Sequence, residues 1–303
     1  MNRLFSEKLK FVEGQRIPLI GGLWYNFLVK LDNNSISKEI LVEDPLNHDH
    51  REEIVICSLT SYPARIGFVS MAIKSLMLQS YKPDRILLWL AEEQFPRHEL
   101  PLDLLALESK GLEILWMHDL YGHKKYYYPV KNQAPNEIVI SFDDDIIYSP
   151  QSIERLMKTH LQFPRVLVCE RGQVFNIKNK DNPGRWDTIS DIGISEPTFS
   201  MNPSPGGGCL IPYGAFHKDA VNESLIRDLA FKNDDLWYMF MCAENGTRMV
   251  KTRKNHKPFS VISGSQIEQM ANDNVVNNHN SIILRRLIDY YPEAWRRIQN
   301  DSY

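Results

Sequence analysis

The sequence predicts an α/β protein: a mostly parallel central sheet flanked by helices, with a helical C-terminal elaboration. Three observations carry this reading. Continuous apolar runs such as Ile54–Cys57 and Ile86–Leu90 are those of strands buried on both faces. Between them, apolar residues recur at three- and four-residue spacing, as in Ile66, Val69, Ile73, Leu76 and Met77, the stripe of a helix. The two patterns alternate from Ile54 to Cys169, the signature of β-α-β units with right-handed crossovers.

The elements follow in order. After the Ile54–Cys57 strand comes the polar, proline-broken loop Ser58–Pro63, then the helix that starts at Ile66. Ile86–Leu90 is a second strand, and Leu102–Lys110 a short helix closed by Gly111 in a left-handed cap. Leu112–Met117 and Glu137–Phe142 are further strands. Pro150 suits a first helical position, with Ser149 as cap, and that helix runs to about Gln162 before a strand at Val166–Cys169. Beyond a Pro/Gly/Asn-rich tract that ends in Pro203–Gly208, helices are expected at Glu223–Phe231, Asp234–Cys242 and Ser281–Tyr291. Residues 1–52 read as an N-terminal extension, and the aromatic patch within Ile17–Leu31 is expected to pack on the main domain.

Composition narrows the function classes. The 303 residues are 43% apolar and 24% charged, which excludes a mostly disordered chain and a polytopic membrane protein. A formal charge of −3 provides no global field for nucleic acid, so none is expected as a partner. Cys57, Cys169, Cys209 and Cys242 are widely spaced and read as reduced structural thiols. No signal-like apolar core and no long apolar stretch stands out, so a cytoplasmic location is expected.

Ligands of parallel sheets gather at the carboxyl ends of the strands, and the acidic triplet Asp143-Asp144-Asp145 follows such an end directly. Three adjacent carboxylates beside a buried strand need a compensating cation. In extended backbone, Asp143 and Asp145 share a face while Asp144 points away, so two hard oxygen donors suit Mg2+ or Mn2+ with phosphates completing the shell. A helix N-terminus is the alternative reading of the triplet. Lys124 and Lys131, seven residues apart, share a helical face, as a solvated helix surface also would. Asn233 is placed to cap a helix whose first turn holds Asp234 and Asp235.

Taken in order, Ser58–Ile66, Ser141–Tyr148 and Asp234-Asp235-Leu236-Trp237 resemble the nucleotide-sugar domain of GT-A glycosyltransferases of a family 2-like type. The likeness covers roughly residues 54–290 and is strongest to bacterial enzymes of capsule, exopolysaccharide and lipopolysaccharide synthesis. It implies a Rossmann-like GT-A domain with a nucleotide-sugar half at 53–171 and an acceptor half at 172–303. The implied activity is metal-dependent transfer of a hexose, galactose or glucose, from a UDP-sugar to an oligosaccharide or lipid-linked glycan, with inversion. Peripheral contact with the inner face of the cell membrane follows from the same analogy.

The resemblance also implies roles. Thr60, Ser61, Tyr62 and Arg65 would hold the nucleotide and diphosphate, joined by Lys124, Lys131 and Asp144. Gly207 and Gly208 would belong to a flexible segment that borders the donor sugar, although a plain turn is an equal reading. Asp143 and Asp145 would bind Mn2+ or Mg2+ with His279 as third ligand, against the alternative that the Asn277–Asn280 cluster only caps a helix. Asp235 would be the general base, against the alternative of a dipole-stabilising acid. Two rival functions stand beside this one: a sugar nucleotidyltransferase and a non-catalytic sugar-binding module.

Overall fold

A computed structural model describes residues 44–175, 188–189, 196–252, 260–265 and 279–301. The patch at Ile17–Leu31 lies outside the described residues. In chain order the first elements are β1 (Ile54–Thr60), α1 (Val69–Met77), β2 (Arg85–Ala91), α2 (Leu102–Leu105), β3 (Leu112–Met117), α3 (Lys124–Lys131) and β4 (Glu137–Phe142). Then come β5 (Ile146–Ile147), α4 (Ser152–Gln162), β6 (Leu167–Cys169), β7 (Gly172–Phe175), β8 (Thr188–Ile189), β9 (Met201–Pro203) and β10 (Gly207–Ile211). The rest are α5 (Glu223–Leu225), α6 (Asp234–Asn245), β11 (Met249–Lys251), β12 (Ser260–Val261), α7 (His279–Tyr290) and α8 (Pro292–Asn300).

Seven strands form the main sheet in the order β11-β6-β10-β4-β1-β2-β3. β3, β2, β1 and β4 are parallel, β10 runs antiparallel to both of its neighbours, and β6 and β11 are parallel again. The sheet is thus mostly parallel with one reversed strand. The order reverses between β1 and β4, since β2 and β3 lie on one side of β1 and β4 on the other. A crevice opens at the carboxyl ends of strands where such a reversal occurs.

Period-2 alternation splits the core into two layers. Ile138, Ile140 and Phe142 of β4 face a cluster with Val69, Ile73 and Leu76 of α1 and Ile153 and Leu156 of α4. Val139, Cys169 and Ile211 face the other way, toward Tyr126 of α3, Trp237 and Phe240 of α6 and Trp295 of α8. Both sheet faces are covered, which explains why these strands read as unbroken apolar runs.

Local departures from the sequence expectation have local causes. α1 begins at Val69 rather than Ile66, because the Tyr62 carbonyl accepts from the amides of both Arg65 and Ile66 at 2.9 Å and makes a turn there. α4 begins at Ser152, so neither Ser149 nor Pro150 opens it. Their carbonyls are committed to α1's end instead, accepting from Gln79 Nε2 at 2.8 Å and the Ser80 amide at 2.7 Å. The Glu223–Phe231 segment is a brief α-helical turn that widens into a π-helical one at Ile226–Ala230. The helix expected over Leu102–Lys110 is two short pieces, α2 and a 3-10 turn at Glu108–Lys110, and Gly111 closes the second in the expected left-handed conformation at φ +93°.

The chain after Tyr291 adds α8, with Pro292 in its first turn, where a missing N–H costs nothing. No helix among the described residues is long and apolar enough to cross a membrane. All four cysteines are buried free thiols, and burial pushes Cys57, Cys209 and Cys242 up from the ordinary thiol range. An aromatic disulfide reagent should therefore label none of the four in the native protein and all four in denaturant. Rapid native labelling of even one would contradict this packing.

Candidate active site at the carboxyl ends of the strands

β1 and β4, the strands on either side of the order reversal, deliver the two loops that build the site. Thr60 ends β1, and its hydroxyl donates to the Trp89 carbonyl of β2 at 2.8 Å. Ser61 donates to Asp144 Oδ2 at 2.6 Å. Arg65 Nη1 reaches Asp144 Oδ1 at 3.0 Å and Asp145 Oδ2 at 2.8 Å, with its guanidinium 5.6 Å from the Tyr62 ring centroid. The loop after β1 is thus tied to the acidic triplet by direct hydrogen bonds.

The triplet does not keep the alternation expected of a strand. β4 ends at Phe142, and its pleat carries one residue further, turning Asp143 toward the layer of α3 and α6. Asp144 and Asp145 then lie in a turn and share Arg65. Asp143 goes instead to Lys125, whose ammonium sits 2.8 Å from Asp143 Oδ1 and 2.8 Å from Asp234 Oδ2. The expected convergence of Asp143 and Asp145 on one face therefore gives way to two ion-pair groups, one on each side of the turn. Burial pushes the Asp144 carboxyl up, against the opposing pull of Arg65 and Ser61. Burial would lower the Lys125 ammonium, but Asp143 and Asp234 outweigh it and hold it well above the lysine range.

Backbone contacts fix Asp143 as firmly as charge does. Its amide donates to the Tyr148 hydroxyl at 2.7 Å and to the Gly206 carbonyl at 3.1 Å, while that hydroxyl donates to the Gly206 carbonyl at 2.5 Å. A Cβ at Gly206 would stand 1.6 Å from Asp143 Oδ2. Gly207 and Gly208 belong to β10 and are buried, where the expectation was a flexible segment: Gly207 pairs with Phe142 of β4, and the Gly208 carbonyl accepts from the Glu170 amide just beyond β6 at 3.0 Å. Gly208 has φ +100° at a bulge in the ladder, a conformation that favours glycine.

The helix α6 supplies the third part. Asn233 is its N-cap, with its side chain accepting from the Leu236 amide at 2.8 Å. That leaves Asp235, in the first turn, without a capping task. Burial, with the adjacent Asp234 carboxylate, pushes the Asp235 carboxyl up to about 8. Asp234 moves the other way, held down by Lys125 against its own burial. Adjacent carboxyls with opposite shifts are an acid–base arrangement: one stays ionised and the other holds a proton near neutral pH.

The remaining residues are placed less centrally. Lys124, buried and 2% exposed in its side chain, pairs with Asp119 at the end of β3, and Lys131 lies over the Tyr127 ring at 5.4 Å. Neither is drawn into an ion pair with the triplet. His279 opens α7, and its neighbour Asn280 accepts from Asn233 Nδ2 at 2.7 Å, so it stands by the amino end of α6. Among the described residues, no three histidine, cysteine, aspartate or glutamate side chains converge around an ion-sized space.

Three residues of the candidate site are given no role by sequence reasoning. Lys125 differs from Lys124 only by about 100° around the helix, which spacing alone does not resolve. Tyr148 closes the Ser141–Tyr148 motif, which gives it no role. Arg171, buried just beyond β6, adds positive charge near Asp235 and has no sequence signal.

The donor chemistry fits a divalent ion in one mode. In the two ion-pair groups four carboxylates (Asp143, Asp144, Asp145 and Asp234) face two cations, Arg65 and Lys125. Asp143 keeps 40% of its side chain open and Asp145 12%. One or two carboxylates and a surplus of negative charge match a magnesium-type ion that takes its other ligands from substrate phosphates.

Comparison with known proteins adds little at the level of sequence. No family model matches the chain, and no curated protein matches it. Among solved structures, the crystal structure of S. aureus TarS 1-349 matches at a TM-score of 0.42 and 11% identity. Its complex with UDP matches at 0.42 and 11%, and its complex with UDP-GlcNAc at 0.42 and 13%. Each match covers 68% of this chain, and 59%, 59% and 57% of those chains respectively. This chain therefore spans under two thirds of the length of the structures it matches.

The contact between residues 206 and 143 is testable. Gly206→Ala should cost about 1–3 kcal/mol by displacing the carboxylate, as overpacked sites do. In an Asp143→Ala background most of that cost should vanish. Urea denaturation of the four proteins checks it, and equal costs in both backgrounds would exclude the contact.

Proposed function

We propose that the protein is a metal-dependent glycosyltransferase that moves a hexose from a UDP-sugar to a glycan acceptor, with inversion, in bacterial surface polysaccharide synthesis. The single observation that carries this reading is the pairing of two kinds of carboxylate at one strand-end crevice. Asp143, Asp144 and Asp145 form an anionic, cation-linked floor. Asp235, nearby on α6, holds a proton far above the usual carboxylate range. The hexose, galactose or glucose, and the UDP carrier follow from the resemblance of the motifs.

In this reading Arg65 and the hydroxyls of Thr60, Ser61 and Tyr62 bind the nucleotide and its diphosphate, since a guanidinium matches phosphate oxygens in pairs. Asp143 and Asp145, with His279 as the third ligand the resemblance implies, would hold Mn2+ or Mg2+, which supplies charge to offset the departing diphosphate. Asp235 in its ionised form takes the proton of the acceptor hydroxyl as that oxygen attacks the anomeric carbon. The bond from that carbon to the diphosphate oxygen breaks, and the electron pair leaves with UDP. An Asn233 cap weighs against the sugar-binding module, because Asp235 is then not needed to finish the helix.

Two outcomes follow. Asp235 accepts a proton only when ionised and holds its own up to about 8 in the free protein, so kcat/KM should climb about tenfold per pH unit below that value and level off above it. Asp235→Asn should bind UDP and fail to transfer; a flat profile or wild-type turnover would remove it as the base. Asp145→Ala should lower Mn2+-dependent UDP binding by about 100-fold, with its fold intact by circular dichroism. Unchanged binding in calorimetry, with Mn2+ or with EDTA, would remove Asp145 as a ligand. UDP release from UDP-glucose or UDP-galactose by the wild type is the direct assay, and pyrophosphate release from nucleoside triphosphate and sugar phosphate would favour the nucleotidyltransferase.

A further inference from the structure

Lys125 stands apart from every other cation of the site. It is the only residue in the described ion pairs that joins the strand-end triplet to the α6 acidic pair, reaching Asp143 and Asp234 at 2.8 Å each. Its side chain is 5% exposed, and of its two partners Asp234 is 18% exposed and Asp143 40%, so water screens the Asp234 contact the less. The surroundings are built to the same end. A Cβ on Gly122, three residues earlier, would come within 3.3 Å of the Asp234 carboxyl, and Gly206 closes on Asp143 from the opposite side. Each carboxylate therefore has a glycine backbone close beside it, and both reach one ammonium.

We propose that Lys125 is a positioning residue that locks the donor-side Asp143 and the base-bearing turn of α6 into one rigid unit. This rests on the glycosyltransferase reading above. Donor and acceptor chemistry come from different parts of the chain: Asp143 follows β4 directly, whereas Asp235 belongs to a helix that starts some ninety positions later. A transferase has to keep the base in line with the anomeric carbon, and the ammonium fixes the separation of the two carboxylates through two direct contacts. Asp235, next in sequence to Asp234, inherits that placement. Lys125 touches neither donor nor acceptor in this role. It acts through Asp143 and Asp234.

A bridging role and a merely structural one separate in a variant pair. Lys125→Met leaves two carboxylates without their cation, and should lower kcat for UDP release about 100-fold, the cost of a small misplacement of reacting groups, with the donor KM changed less than about threefold. Its thermal midpoint should also fall. Lys125→Met/Asp234→Asn removes one of the abandoned charges, and should recover much of the midpoint while kcat stays low. It also serves if Lys125→Met alone does not fold. Recovery of kcat together with the midpoint would show that Lys125 only stabilises the fold, as would wild-type kcat in Lys125→Met; either result overturns the proposal and leaves the glycosyltransferase reading in place. A wild type that neither binds UDP in the presence of Mn2+ nor releases it from UDP-glucose or UDP-galactose overturns that reading, and the role of Lys125 with it.

Discussion

Everything at the strand ends depends on how the protein neutralises a dense group of carboxylates. An isolated carboxylate in such a place would take up a proton or unfold its surroundings. Here two internal cations, Arg65 and Lys125, split the task. Arg65 ties Asp144 and Asp145 to the loop after β1, and Lys125 ties Asp143 to α6. The same contacts that hold the charges also fasten three separate segments of the chain around one crevice. Charge balance and architecture are one constraint in this protein.

That constraint shapes proton affinity in turn. With Asp234 kept ionised by Lys125, the neighbouring Asp235 cannot ionise cheaply, and burial adds to the effect. A carboxyl so placed is a stronger base once it does lose its proton than any exposed aspartate would be. The triplet and the α6 pair look like independent acidic motifs along the sequence, yet a single ammonium touches both.

The parallel half of the sheet was legible from residue types because both of its faces are covered. Buried strands leave unbroken apolar runs, and the β3 and β4 boundaries, Leu112–Met117 and Glu137–Phe142, fall where the runs do. Boundaries slipped where tertiary hydrogen bonds override local signals, as at Ser149 and Pro150, whose carbonyls serve the end of α1. The site was legible as a set of motifs: Arg65, the triplet and Asp235 do gather at the carboxyl ends. What spacing could not supply is direction. Lys124 and Lys125 offer the same charge, and only the packing of α3 decides which of them faces Asp143. The reversed strand β10 was equally hidden, since Gly206–Gly208 carries no apolar run and reads as a turn.

That reversed strand has a consequence for the register of the acidic turn. Because β10 runs against its neighbours, its first residues lie at their carboxyl ends, and the pairing of Gly207 with Phe142 sets Gly206 against Asp143. A slip of one residue would bring a proline or a misdirected carbonyl to that spot. Hydrogen-bond registry along this short ladder thus decides which backbone stands against the acidic turn, and only a residue without a side chain fits there.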